Sequence, residues 1–273
     1  MALRFHQPAF PLSRYVDRMW WQTHAGLPSS RQRIYPDGAM ALAIHLNKPT
    51  ATFFIDQQPI SVRVPLLAGP YSRSFHIDPS QSTAVVGVLF RPGAARMFFP
   101  ISPHELHNAD IALCDIAAPE ADRLLNELCA AQDAPALFAA LERDLLRRLK
   151  GAPPIHPAVL YSVDQIAREG GVRSVRQMER DTGLSPTRFI HLFREHVGLT
   201  PKLFCRVRRF HNALGRIEKG LPVQWAQIAA DCGYFDQAHL IRDFRIFAGI
   251  TPAECSREMS DADRGLLATV EAS

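Results

Sequence analysis

Apolar residues are spaced differently in the two halves of the chain. Up to about residue 110 they form short runs separated by proline, glycine, asparagine and aspartate, a pattern typical of short strands joined by turns. The runs span 39–46, 51–55, 60–64 and 83–90. Many short strands with such punctuation are typical of a β-barrel or a β-sandwich, and we expect a barrel.

Helical periodicity replaces this pattern after Pro119. Leucines there share one helical face, first in a group of three and then at every fourth position. They are Leu124, Leu125, Leu128, Leu137, Leu141, Leu145 and Leu149. This spacing predicts a hairpin of two helices, at about 119–131 and 135–149.

A Gly-Ala-Pro-Pro sequence at 151–154 ends the hairpin, and the pattern beyond it is helical throughout. We expect helices near 156–168, 174–181, 186–196, 201–218, 223–231, 236–247 and 252–258. The prediction is an α+β multidomain chain. Its segments are a β-barrel domain at 1–118, a helical hairpin at 119–150, a linker at 151–155, an all-α domain at 156–258 and a flexible tail at 259–273.

The all-α domain contains one stretch of sequence twice. The first copy has Gln177, Asp181, Gly183, Phe193, Arg194, Gly198, Thr200 and Pro201, and the second has Gln227, Asp231, Gly233, Phe244, Arg245, Gly249, Thr251 and Pro252. The second copy carries one extra residue between its first Gly and its Phe. Each copy reads as helix, turn and helix, because glycine at 183 or 233 accepts a positive φ where the first helix ends. Two such units about 50 residues apart indicate a two-part grip on duplex DNA.

The second helix of each copy has an apolar and a polar face. Phe193 and Phe244 anchor the apolar faces in the core, which leaves the opposite faces to enter a major groove. The predicted base-reading residues are Thr187, Arg188, Ile190, His191, Gln237, His239 and Arg242. Glutamine can bind adenine, and arginine can bind guanine, in bidentate fashion. The alternative is that these are solvated faces of a helical bundle, but the repeat with its matching turns favours DNA.

Five basic residues nearby are candidates for phosphate contacts, which set position rather than sequence. They are Arg194, Lys202, Arg206, Arg209 and Arg245. The helix predicted at 201–218 joins the two units and spans roughly 27 Å at about 1.5 Å per residue. Successive major-groove faces lie about 34 Å apart. One chain can therefore place both second helices in adjacent turns of one duplex.

Charge changes this picture only slightly. Residues 155–257 hold 15 Lys and Arg against 10 Asp and Glu, a mildly basic balance that suits phosphate contacts.

The five cysteines are scattered and form no C-x-x-C pair, which fits reduced thiols better than disulfides or zinc. The N-terminus lacks the apolar core of a signal peptide, and no run of about 18 apolar residues occurs. We therefore expect a cytoplasmic protein with no membrane segment.

The duplicated motifs resemble those of the AraC/XylS family of transcriptional regulators, over about 100 C-terminal residues. The resemblance is carried by Gly-Leu-Ser-Pro and the residues up to Thr-Pro at 183–201, and by Ala-Ala-Asp-Cys-Gly-Tyr-Phe-Asp-Gln-Ala-His-Leu-Ile-Arg-Asp-Phe at 229–244. It implies transcription regulation and DNA binding by both units, at the base-reading positions given above. The first copy departs from the family at Glu179, where alanine is favoured and where the second copy has Ala229. We therefore expect the two copies to read DNA differently.

The N-terminal half resembles a β-barrel sensor domain found ahead of some AraC-type regulators, through Pro-Asp-Gly at 36–38 and the stretch 86–95. The resemblance implies a small effector bound in the barrel and homodimerisation through 119–149. RNA polymerase is a further candidate partner. The candidate effector-binding residues are Tyr35, Asp37, His45 and Arg91, although core, turn and surface roles are the simpler reading of each alone.

Three other functions compete with this one. A cupin-like barrel could be an enzyme or hold a metal, but metal-binding cupins use an H-x-H pair and this chain offers His45 alone on a strand. DNA alkyl repair needs an activated thiolate, and no cysteine here stands in such a motif. A protein-interaction scaffold would bind no duplex. We expect no enzyme activity, no metal site and no cofactor.

Overall fold

The structure is a computed structural model that describes residues 2–23, 31–78, 84–151, 154–218 and 224–258. Its N-terminal half consists mainly of strands. They are β1 (Ala2–His6), β2 (Val16–Thr23), β3 (Gln32–Ile34), β4 (Ala41–His45), β5 (Thr50–Ile55), β6 (Gln58–Arg63), β7 (Leu66–Ala68), β8 (Phe75–Ile77), β9 (Ala84–Phe90) and β10 (Asp110–Ala112). One sheet has the strand order β1-β2-β9-β4-β7-β10, and the other has the order β3-β8-β5-β6.

The central strands of the six-stranded sheet bury side chains that point to one face of the sheet. Leu42 of β4 and Val86 of β9 are completely buried, as the two-residue repeat of a strand predicts for positions that face a core. In the second sheet β5 and β6 form a hairpin. Its turn residues Asp56 and Gln57 both have a positive φ, which matches the twist of the two strands.

The four predicted strand runs are confirmed as β4, β5, β6 and β9, but the predicted barrel is wrong. Within the described residues the strands form two open sheets, and no hydrogen-bonded ladder joins one to the other. The reason is the choice of partners: β5 pairs with β6 and β8, whereas β4 pairs with β7 and β9. The N-terminal half is therefore a sheet-rich domain, and a cupin-like fold is not confirmed.

Helices form the rest of the described chain. They are α1 (Cys114–Cys129), α2 (Ala134–Leu149), α3 (Pro157–Arg168), α4 (Val175–Thr182), α5 (Pro186–Val197), α6 (Pro201–Glu218), α7 (Trp225–Asp231), α8 (Gln237–Ala248) and α9 (Pro252–Glu258). The predictions for α3 to α9 are confirmed to within two residues at each end. The predicted tail at 259–273 lies outside the described residues.

The hairpin of α1 and α2 is also present, with one difference. α1 begins at Cys114, ahead of the predicted start, and Ala117 leaves the helical conformation just before Pro119. Pro119 has no amide hydrogen to donate, and its ring clashes with the preceding turn of a helix. The predicted helix corresponds to the part of α1 beyond this break. None of the described helices is long and apolar enough to cross a membrane.

One continuous apolar core connects the sheets with the helices. It contains Leu42 and Phe90 of the six-stranded sheet, Leu141 of α2, Phe204 of α6 and Phe244 of α8. The core therefore crosses the boundary between the sheet-rich part and the helical part. This packing places the N-terminal half directly against the repeated units.

Candidate nucleic-acid interface

The first repeated unit consists of α4 and α5. Ser174 caps α4 by accepting a hydrogen bond from the Gln177 amide at 3.2 Å, and Gly183 ends it with φ 67°. Ser185 then caps α5 through the Arg188 amide at 3.4 Å. The glycine turn separates the two helices, as the sequence predicted, and each helix begins at a serine cap.

The second unit consists of α7 and α8. The turn after α7 contains Gly233 with φ 71°. Asp236 caps α8 by accepting a hydrogen bond from the His239 amide at 2.7 Å. Beyond α8, Thr251 and Glu254 form a capping box: the Glu254 carboxylate accepts from the Thr251 amide at 2.7 Å, and the Thr251 hydroxyl accepts from the Glu254 amide at 3.3 Å.

The two recognition helices, α5 and α8, correspond residue by residue at a distance of 51 positions, from their N-caps to their terminal glycines. Phe193 therefore matches Phe244, and both are fully buried. Buried Leu192, however, matches buried Asp243. The two helices share a frame but fill it with different chemistry.

The predicted base-reading residues lie on the outer faces of these helices. Exposed positions are Thr187, Arg188, Ile190 and His191 on α5, and Gln237 and Arg242 on α8. His239 is half-buried because its ring packs edge-on against the buried Tyr234 at 5.2 Å between centroids. The structure thus brings the seven residues to two outward faces, one on each helix.

The predicted phosphate contacts divide into two groups. Arg194, Lys202 and Arg245 are exposed. Arg206 instead donates to the buried carboxylate of Asp243 at 2.6 Å. Arg209 donates to the carbonyl of Gly171 at 3.4 Å and lies over the Tyr234 ring. These two arginines hold α6 to its neighbours, so their placement gives no support to a role at the DNA backbone.

The helix α6 joins the two units through its buried side. Phe204 contacts Phe193 of α5, with 5.7 Å between ring centroids, and Phe210 contacts Phe244 of α8 at 4.8 Å. An ion pair between Arg216 and Asp231 at 2.7 Å ties the end of α6 to α7. The predicted spacer is therefore a packed helix that fixes one unit relative to the other.

The tight packing position near each turn differs between the units. Ala229 of α7 is buried, as expected, but its counterpart Glu179 on α4 is half-exposed and Met178 is the buried residue. A groove of about 460 Å³ opens beside Glu179, lined also by Arg176, Arg180, Gly183, Leu184 and Pro186. The two turns differ in the same way: a Cβ atom at Gly183 would meet nothing within 4 Å, whereas one at Gly233 would come within 2.5 Å of Val172.

The N-terminal half holds the C-terminal end of α5. The carboxylate of Glu195 forms an ion pair with Arg96 at 3.1 Å and lies 3.4 Å from a ring nitrogen of His104. The next loop is packed so tightly that a Cβ atom at Gly198 would come within 2.8 Å of the Pro103 carbonyl. None of these contacts was visible in the sequence, because their partners are about 90 to 100 residues apart.

The C-terminal end of α8 is held by a different part of the same half. Ser74 donates from its backbone amide to the Phe247 carbonyl at 2.7 Å. Arg33 donates to the Ala248 carbonyl at 2.8 Å and pairs with Glu258 at 3.2 Å. A cation at the C-terminal end of a helix is favourable, because the helix carries unpaired carbonyls there.

The candidate effector residues have different contacts in the structure. Tyr35 contacts Cys255 of α9 at 3.2 Å, and burial raises the pKa of its phenol. The carbonyl of Asp37 accepts from Arg208 of α6 at 3.4 Å. His45 ends β4, and burial lowers its pKa to about 4. Arg91 donates to the Ser13 carbonyl at 3.1 Å. Tyr35 and Asp37 belong to the contact between the halves, whereas the other two lie elsewhere.

Metal and thiol chemistry find little support in this arrangement. No group of three histidine, cysteine or carboxylate side chains that could hold a metal ion occurs in the part of the chain that the structure describes. Burial raises the pKa of the Cys205 thiol to about 11, which disfavours a reactive thiolate. Cys232 and Cys255 are also buried.

With this geometry in place, residues 178–258 match a family model described as a helix-turn-helix domain. The C-terminal domain is an AraC-type helix-turn-helix domain. The match begins within α4 and ends with α9, so it includes both recognition helices. Residues 4–112 match a second family model, described as a domain of unknown function (DUF6597), which covers the sheet-rich part. No curated protein matches the chain.

Among solved structures, the chain is similar to crystal structures of ToxT from Vibrio cholerae. One, from strain O395, has 13% identity and a TM-score of 0.44, with 88% of this chain and 98% of that chain covered. A second, bound to (E)-4-(8-methylnaphthalen-1-yl)but-3-enoic acid, has 11% identity and a TM-score of 0.47, with 88% and 99% covered. A third, from strain SCE256 with an unsaturated fatty acid bound, has 13% identity and a TM-score of 0.42. That comparison covers 83% of this chain and 89% of the ToxT chain.

Proposed function

We propose that the protein is a sequence-specific DNA-binding regulator of transcription in which α5 and α8 enter successive major grooves of one duplex. The observation that carries the proposal is the pair of recognition helices. Each begins at a side-chain cap, buries one face and exposes the other, and α6 packs against both. The 18 residues of α6 span roughly 27 Å, close to the ~34 Å repeat of the groove.

The residues on the outward faces of α5 and α8, together with Lys202 of α6, have defined roles in this proposal. The base edges are read by Thr187, Arg188, Ile190, His191, Gln237, His239 and Arg242. Phosphates are contacted by Arg194, Lys202 and Arg245. Arg206 and Arg209 are left out, because both are engaged within the protein.

The proposal is tested with duplexes selected from a random library by the full chain. Arg242→Ala should weaken binding to a selected duplex by about 1–3 kcal/mol and leave binding to random duplexes nearly unchanged. Arg168→Ala is the matched control, because Arg168 is exposed on α3 and pairs only with a neighbouring aspartate at 3.0 Å among the contacts described. Equal losses on selected and random duplexes would contradict base reading by Arg242.

A salt titration tests the phosphate contacts separately. Three arginines or lysines that neutralise phosphates release counterions, so affinity should fall steeply as salt rises. Replacing Lys202 with Ala should reduce the slope by about one unit of log affinity per unit of log salt. A slope unchanged by Lys202→Ala would remove this residue from the interface.

Control by the N-terminal half is the finer part of the proposal. Arg96, Ser74 and Arg33 contact the ends of both recognition helices, so a small effector that moved these contacts would change how the helices meet DNA. In the variant Arg33→Ala/Arg96→Ala we expect a changed affinity for the selected duplex with the same preferred bases. An unchanged affinity would show that these contacts do not control binding.

Homodimerisation through the hairpin of α1 and α2 is a separate proposal. Its support is Leu146 of α2, an apolar side chain that remains 39% exposed although the helix buries Leu137, Leu141 and Leu145. Leu146→Asp should lower the mass measured by light scattering from dimer to monomer, and Leu160→Asp, an exposed leucine on α3, is the control. A wild-type chain that is monomeric at all concentrations would refute it.

A further inference from the structure

The extra residue in the second copy of the repeat has a definite position in the structure. The first unit has only Leu184 between its glycine and its N-cap, and Leu184 packs partly against the core. The second unit has Tyr234 and Phe235 there. Tyr234 occupies the core position, with 5% of its surface exposed, whereas Phe235 is 92% exposed. Phe235 is thus the added residue, and its ring stands in solvent.

The backbone on both sides of Phe235 is held firmly. The Tyr234 amide donates to the Ala229 carbonyl at 2.9 Å, and the Tyr234 ring is buried beneath Arg209. On the other side the Asp236 carboxylate caps α8 through the His239 amide at 2.7 Å. The exposure of Phe235 therefore results from a fixed turn that directs the side chain outward.

Phe235 also lies at the end of α8 that carries the exposed Gln237. A fully exposed phenylalanine leaves apolar surface in water, and covering it is worth about 25 cal/mol per Å². The major-groove edges of the bases are polar except at one point, the 5-methyl group of thymine. Phenylalanine is one of the side chains that contact this methyl group. The chemistry of the site therefore fits an apolar contact beside the polar contacts of α8.

We propose that Phe235 reads a thymine in the operator by covering its 5-methyl group, next to the bases read by Gln237 and Arg242. This inference rests on the proposed function and names a specificity-determining residue that the first unit lacks. The second unit thus combines an apolar contact from its turn with polar contacts from its helix.

The test uses the full chain and a duplex that it selects from a random library. Each thymine of this duplex is replaced in turn by deoxyuridine, which removes only the methyl group. At one thymine, next to the bases protected by α8, the wild type should lose about fourfold in affinity, the effect of one buried methyl group. Phe235→Ala should bind the unmodified duplex more weakly than the wild type does. Its affinity should not change when deoxyuridine replaces the thymine at that position.

Phe10→Ala is the matched control, because Phe10 is also an exposed phenylalanine, at 77%, but lies in the N-terminal half. Both variants should keep the unfolding midpoint of the wild type. Phe10→Ala should also keep the affinity of the wild type for every duplex. Identical responses of wild type and Phe235→Ala at every thymine would overturn the inference while leaving the proposed function intact. Equal losses by Phe235→Ala on selected and random duplexes would also overturn it. A wild-type chain that selects no duplex would overturn both.

Discussion

Where α5 buries Leu192, α8 buries Asp243 at the matching position. The first recognition helix is seated by apolar packing there, whereas the second depends on an ion pair between Asp243 and Arg206 of α6. The C-terminal ends differ as well. The N-terminal half holds α5 through the side chain of Glu195 and holds α8 through its last carbonyls. The comparison teaches that one repeated frame can be stabilised by unlike interactions, so the two units should respond differently to the same change.

The largest loss of stability is expected when the ion pair of the second unit is broken. Arg206→Ala leaves the Asp243 carboxylate buried without its cation and should lower the free energy of unfolding by about 3 kcal/mol. The double variant Arg206→Met/Asp243→Leu should recover most of this loss, because the first unit already carries leucine at that position. Urea unfolding of wild type and variants measures both. A double variant as unstable as the single one would show that Asp243 has another role.

The glycines that end α5 and α8 should differ in how much stability is lost when alanine replaces them, although by less than the ion pair. Gly198 and Gly249 both have a positive φ, so alanine is strained at either position by about 1 kcal/mol. At Gly198 the new Cβ would also overlap Pro103 and Pro70, whereas at Gly249 its nearest neighbour is a guanidinium nitrogen of Arg33 at 3.8 Å. Gly198→Ala should therefore cost about 2 kcal/mol more than Gly249→Ala. Similar losses in thermal unfolding would mean that the N-terminal half does not press on α5.

Acid should weaken the first unit slightly more than the second. Burial lowers the pKa of His196 near the end of α5, with Arg96 acting in the same direction; its counterpart on α8 is the buried Phe247. Because the folded state disfavours the proton, stability is present above the ordinary histidine pKa of about 6.5 and is lost as pH falls below it. One group contributes at most about 1.4 kcal/mol per pH unit. His196→Phe should reduce the change in unfolding free energy between pH 7.5 and 5.5, and an unchanged pH dependence would contradict this role.

Local features of the fold could be predicted from the sequence. The starts of α5, α6 and α9 were predictable because a cap acts within three residues: the hydroxyls of Ser185, Thr200 and Thr251 each accept from an amide three positions on. Four of the ten strands in the described residues (β4, β5, β6 and β9) were located from short apolar runs between turn residues, but the pairing of the strands was not predicted. The pairing of β5 with β8 brings together segments more than 20 residues apart, and short apolar runs do not encode that choice.

The candidate site was predictable only in part, for the same physical reason. The outward faces of α5 and α8 follow from helical periodicity around Phe193 and Phe244. The roles of Arg206 and Tyr35 could not be predicted in this way, because each contacts a residue of a distant element. Arg206 pairs with Asp243 of α8, and Tyr35 contacts Cys255 of α9. The extra residue of the second unit was visible in the repeat, yet only the burial of Tyr234 shows that Phe235 is the one that faces solvent.

The central claim is that both recognition helices of one chain grip one duplex. Hydroxyl-radical footprinting of the full chain on a selected duplex tests it most directly. The account predicts two protected segments on one face of the duplex, with centres about 10 base pairs apart. It also predicts that Arg242→Ala weakens protection of one segment more than the other. A single protected segment at saturating protein, unaffected by Arg242→Ala, would contradict it.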